Sequence, residues 1–99
     1  MIKTVIITGG TSIDAQVKAR NYTGHRVVFA DSLPVPSPLI ASGKFVQIPP
    51  IDAPHYIHEL LKACLDQDAN LLVLLHKEEI ALVTPQSLLF EEYNIEIVC

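Results

Sequence analysis

The chain switches between runs of apolar residues and helical spacings, and each switch marks an element. Val5-Ile6-Ile7 is continuously apolar, as a parallel strand covered on both faces is. Gly9-Gly10 follows. Without Cβ atoms the backbone can turn sharply there, and a ligand can approach. Thr11 and Ser12 then suit the cap of a helix over 12–22, whose first N–H groups point outward. In that helix Ile13, Ala15, Val17 and Ala19 are expected to face the sheet, and Lys18 and Arg20 to face water. Gly24 closes it as a C-terminal glycine. Arg26–Ala30 reads as a second buried strand, with Asp31-Ser32 at its C-terminal end.

Residues 33–43 carry prolines at 34, 36 and 38. Alternating prolines predict an irregular connection up to Leu39. It is either a packed surface link or a cover over the mouth near Asp31. Lys44–Ile48 is a third strand, stopped by Pro49-Pro50. A helix is predicted over 54–67, with Asp52 as its cap and Pro54 in its first turn. Ile57, Leu60, Leu61 and Cys64 recur at spacings of three and four, on one helical face. Leu71–Leu75 is the most apolar run and is expected to lie centrally. His76–Glu79 follows it, then a short helical turn over 80–83. Thr84-Pro85 opens a last helix over 85–93, packing Leu88, Leu89 and Tyr93. Asn94–Val98 alternates as an edge strand does.

Strands alternating with helices through short connections imply an α/β fold. The expected architecture is a small Rossmann-like, doubly wound parallel sheet of about five strands in the order 3-2-1-4-5. Such sheets bind ligands beyond the carboxyl ends of the strands, at the point where the strand order reverses. That rule brings Gly9, Gly10, Thr11, Ser12, Asp31, Ser32, His76, Glu78 and Glu79 around one crevice.

Composition narrows this picture. The 99 residues suit one domain, 1–99. Aromatic residues make up 6% and Trp is absent, so the core must be aliphatic. The net charge of −4, with no basic run, argues against a nucleic-acid partner. The apolar run at the N-terminus is too short for a signal peptide or a membrane span. Cys64 and Cys99 do not form a disulfide framework, so a reducing cytoplasm is the expected location.

Three groups of residues bear on chemistry. Thr8–Ser12 with Asp31 suggests a dinucleotide site, because the acid stands near the spacing of a ribose contact. Ile13 and Asp14 occupy the region of the third glycine of that motif, and Asp14 puts negative charge near the pyrophosphate position. His76, Glu78 and Glu79 can hold a ligand or exchange protons. The same residues also suit a helix start, where acids favour the dipole. His55 and His58 lie one turn apart but lack the second histidine of H-E-x-x-H, so a solvated helix face explains them. Cys64 sits among apolar neighbours as a core residue. No G-x-S-x-G elbow and no Walker loop is present. No catalytic residue and no metal ligand is assigned.

Taken together, Val5–Asp14, Gly24–Ser32, Phe45–Pro49 and the Glu78-Glu79 pair resemble the N-terminal pre-ATP-grasp domain of ATP-grasp ligases. The likeness is to the carbamoyl-phosphate synthase large-subunit-like and biotin-carboxylase-like group. It implies a substrate-side domain of an ATP-dependent carboxylate–amine ligase or a carbamoyl-phosphate-synthase-like enzyme, catalytically silent alone. It implies that Gly9–Ser12 and Glu78-Glu79 contact a small-molecule substrate. ATP and Mg are implied for a parent enzyme and none is expected on this chain. The partner implied is an ATP-grasp catalytic domain, in cis or in trans. On this reading the sequence stops about where a linker to that domain would begin. Two further readings stay open. One is a free-standing module that binds a small ligand or forms a homodimer through an edge strand. The other is a reduced Rossmann NAD(P)-binding domain.

Overall fold

The computed structural model describes residues 2–10 and 12–99. Thr11, one of the expected crevice residues, lies outside the described residues. Five strands, β1 (Thr4–Thr8), β2 (Arg26–Asp31), β3 (Phe45–Gln47), β4 (Leu71–Val73) and β5 (Glu96–Val98), form one sheet. Its order is β3-β2-β1-β4-β5, and every pairing is parallel. The expected fold class and strand order are both observed.

Burial explains the strand pattern. Val5, Ile6 and Ile7 are fully buried because β1 lies between β2 and β4 and both its faces are covered. Alternate residues serve two cores. Ile6, Val28, Leu72 and Leu74 belong to the larger one, with Tyr56, Leu60, Leu61 and Cys64 of α3 (Tyr56–Asp66) and Phe90 of α5 (Ser87–Glu91). Val5, Ile7 and Val73 belong to the smaller one, under Ala15 of α1 (Ile13–Ala19). Leu71–Val73 is interior, flanked by β1 and β5, while β5 is an edge strand as its alternation predicts.

Several local expectations are corrected. The inward face of α1 is Ala15, with Ala19 partly buried, whereas Ile13 is 81% and Val17 52% exposed. Small side chains let this short helix lie close on the sheet, and the two larger ones point away. The proline segment contains a helix, α2 (Ser37–Ala41). Pro36 is its N-cap and Pro38 falls in its first turn, where no intrahelical N–H is required. The N-cap of α3 is His55, without a side-chain cap bond, and not Asp52. A helix, α4 (Lys77–Val83), begins three residues before the expected helical turn, with His76 as N-cap. A 3₁₀ turn at Thr84–Gln86 then resets the register of α5. Consequently Phe90 is the fully buried residue, Leu88 is 73% exposed and Tyr93 is also exposed. Among the described residues, no helix is long and apolar enough to cross a membrane.

Candidate functional site

The strand order reverses between β1 and β4, and the loops after these strands meet there. Gly9 has φ of +66°, which favours glycine. A Cβ at this position would stand 2.6 Å from His76 Nε2. The imidazole thus lies against the β1 turn. A Cβ on Gly10 would stand 2.4 Å from Phe29 Cβ and 3.1 Å from the Ala30 nitrogen, so the turn is pressed against β2. Gly10 N–H donates to the Ala30 carbonyl at 2.9 Å. Positive φ favours glycine at position 9, and the packing against β2 leaves no room for a Cβ at position 10.

Ser12 is likewise committed. Its hydroxyl accepts from Ala15 N–H at 3.2 Å as the N-cap of α1 and donates to the Gly9 carbonyl at 2.6 Å. This is the capping role expected of it. Asp31, 5% exposed at the end of β2, accepts the Leu33 N–H at 2.9 Å. Gln47 holds the same loop from the other side. Its amide donates to the carbonyls of Asp31 and Leu33, and its oxygen accepts from Val35 N–H. Sequence reasoning passed over Gln47; only the pairing of β3 with β2 brings it beneath that loop.

Beside this frame lies a cavity of about 250 Å³. It collects four of the expected residues, Ser32, His76, Glu78 and Glu79. Gly9, Gly10, Ser12 and Asp31 form the surrounding turns and do not line it. Four lining residues were not anticipated: Ile48, Pro50, Ile51 and Tyr56. The available signal was the Pro49-Pro50 stop, which carries the chain from β3 across the sheet end to the start of α3.

Two lining residues each carry a polar atom that is closed to solvent and has no hydrogen-bond partner, Tyr56 Oη and Glu79 Oε2. Tyr56 is 3% and Glu79 9% exposed. Buried polar atoms are nearly always paired, so each calls for an explanation. Burial pushes the Glu79 carboxyl above its ordinary value. A hydrogen bond with the Thr8 side chain and the nearby His76 oppose that shift, and the charges of Asp31 and Glu78 add to it. Burial, and then the neighbouring Glu79, pushes the Tyr56 phenol up as well. The first-turn acids suit the start of α4, as the plain reading of His76–Glu79 expects. That reading accounts for exposed Glu78 but not for buried Glu79.

The surroundings of the cavity are acidic. Three carboxylates, Asp31, Glu78 and Glu79, gather here with one histidine and no lysine or arginine in the lining. Among the described residues, no three His, Cys, Asp or Glu side chains are grouped to hold a metal ion. Both His55 and His58 are exposed. Cys64 is buried among apolar side chains that push its thiol up to about 12.

Residues 5–98 match the family model described as PylC-like, N-terminal domain. No curated protein matches the chain.

Proposed function

The chain belongs to the PylC-like N-terminal domain family, a pre-ATP-grasp domain of ATP-grasp ligases, and from that premise we propose that it is the substrate-side lobe of such a ligase. Its crevice holds a small non-nucleotide substrate of a carboxylate–amine or carbamoyl-phosphate-synthase-like reaction. ATP and magnesium are held by the companion ATP-grasp domain, which performs the chemistry. The observation that carries this reading is the cavity at the strand-order reversal, lined by Ser32, His76, Glu78 and Glu79 beside an apolar wall. A polar rim over an apolar wall fits a binding lobe. A site dominated by carboxylates does not fit triphosphate.

The crevice residues orient and desolvate the substrate here. Glu79 and Tyr56 would contact it from inside, Ser32 and Glu78 from the exposed rim, and Ile48, Pro50 and Ile51 would flank its apolar part. The NAD(P) alternative is disfavoured by geometry. The carboxylate of Asp31 is buried in its own turn rather than reaching for a ribose, and His76 lies over Gly9.

The test is a separation of kinetic constants. The chain alone should not hydrolyse ATP. Joined to its ATP-grasp domain, it should support ATP-dependent turnover. Glu79→Gln should then raise KM for one non-nucleotide substrate and leave KM for ATP unchanged. ATP hydrolysis by the isolated chain, or a shift confined to KM for ATP, would count against the proposal.

A further inference from the structure

We infer that Thr8 and Glu79 form a proton-operated latch beside the crevice. With its carboxyl protonated, Glu79 donates to Thr8 Oγ1, whose own hydroxyl donates to the Val73 carbonyl. When the proton leaves to solvent, the Thr8 hydroxyl turns to the carboxylate and the Glu79 side chain moves towards the cavity. This goes beyond the substrate-side reading and does not depend on it. One hydroxyl stands between two acceptors. Thr8 is fully buried at the end of β1, and its Oγ1 donates to the Val73 carbonyl at 3.3 Å. The same side chain is in hydrogen-bonding reach of the Glu79 carboxyl. A threonine hydroxyl has one proton and two lone pairs. While that proton is given to Val73, Thr8 can only accept, and the carboxyl can bond to it only as the acid. An ionised carboxyl accepts and does not donate. It takes the Thr8 proton and leaves the Val73 carbonyl without that bond. The charge on Glu79 therefore selects whether the Thr8 hydroxyl ties β1 to the end of β4 or to α4.

The surroundings make the two states unequal. Glu79 Oε2 is closed to solvent and has no partner, so one oxygen of the ionised group stays bare where it now lies. The titratable groups that face this carboxyl are Asp31 at the end of β2, His76 and Glu78 at the start of α4, and the Tyr56 phenol of α3. The two acids oppose a charge on Glu79 and His76 favours it. Tyr56 Oη makes no hydrogen bond to it. A charge held in this way is relieved by reaching water. Glu79 lines the cavity, so a change of its side-chain rotamer carries the carboxylate there. Ser32 and Ile51 line the same cavity and sense that movement. In the protonated state the oxygens stay sealed and the Thr8 bond to Val73 is kept.

The test is a pH titration, from pH 4 to pH 9, of the chain labelled with ¹³C and ¹⁵N. The signals followed are the side-chain carboxyl carbon of Glu79, the carbonyl carbon of Val73, and the amides of Thr8, Leu74, Ser32 and Ile51. All should move with one shared midpoint, above the ordinary 4.5 of a glutamate. Thr8→Val should abolish the movement of the Val73 carbonyl at that midpoint while Glu79 still titrates. Thr8→Ser keeps the hydroxyl and should restore it. Glu79→Gln should hold every one of these signals fixed through that midpoint. Separate midpoints for Glu79 and Val73, or a Val73 carbonyl that still follows Glu79 in Thr8→Val, overturn the latch. If Thr8→Val loses the dispersed spectrum of a folded chain, Glu79→Gln decides, and a Val73 carbonyl that still shifts there overturns it. Amides of Ser32 and Ile51 that stay fixed while Thr8 and Val73 titrate overturn the movement of Glu79 towards the cavity. The KM separation described above judges the substrate-side reading independently of these outcomes.

Discussion

Removing the Tyr56 hydroxyl should make the free protein more stable. The Tyr56 ring is packed in the larger core with Leu60, Leu61 and Cys64, and Tyr56→Phe keeps that packing. The Oη is buried and bonds to nothing, whereas in the unfolded chain it is hydrated. Burying a polar group without a partner costs about 1–3 kcal/mol. We take the lower end, about 1 kcal/mol. For a domain of roughly 100 residues that corresponds to a Tm about 4 °C higher. The assay is urea and thermal unfolding followed by circular dichroism, with no ligand present. The urea midpoint should rise at unchanged m-value, which reports stability rather than compactness. Tyr93→Phe is the control, because Tyr93 is 49% exposed. A Tm unchanged or lowered in Tyr56→Phe, with Tyr93→Phe neutral, would show that Oη is bonded in solution. The hydroxyl would then not be an unsatisfied buried group.

Two further outcomes follow from the burial pattern. Phe90→Ala should cost about 3–5 kcal/mol, because a fully buried ring leaves a cavity. Leu88→Ala should stay within about 0.5 kcal/mol, because Leu88 is exposed; comparable losses in the two variants would refute the register assigned to α5. Glu79→Gln should grow more stable relative to the parent as pH rises. The native carboxyl titrates above its ordinary value of 4.5, chiefly because it is buried. Upward from that pH the unfolded chain releases its proton first, so the parent loses stability until the native group has also ionised. Urea midpoints at pH 4, 6 and 8 should show a gap that opens with pH; a constant or closing gap would contradict the burial of this carboxyl.

The larger features of this protein are written locally. Val5-Ile6-Ile7 followed by Gly9-Gly10 and Ser12 specifies a buried strand, a tight turn and a capped helix within a few residues. Repetition of that unit in a parallel sheet with right-handed crossovers leaves few strand orders, and the observed one follows. Helix faces were harder to read. Ile13 and Val17 are more apolar than Ala15, yet close contact between α1 and the sheet requires the small residue inside. Leu88, Leu89 and Phe90 form one apolar run, and the turn at Thr84–Gln86 decided which of them points inward.

The crevice divides in the same way. Ser32, His76, Glu78 and Glu79 stand at strand ends, so the rule for parallel sheets locates them from sequence. Tyr56, Ile48, Pro50 and Ile51 come from a connection and a helix start, which carry no such rule. Charge and residue type were legible in the chain, but burial is not a property of a residue alone. Only the packing of α3 and α4 over the sheet end enclosed Glu79 with Tyr56 and left both without a partner. Desolvation depends on everything that surrounds a group, and the tertiary structure therefore turned one acid of a helix start into a buried carboxyl.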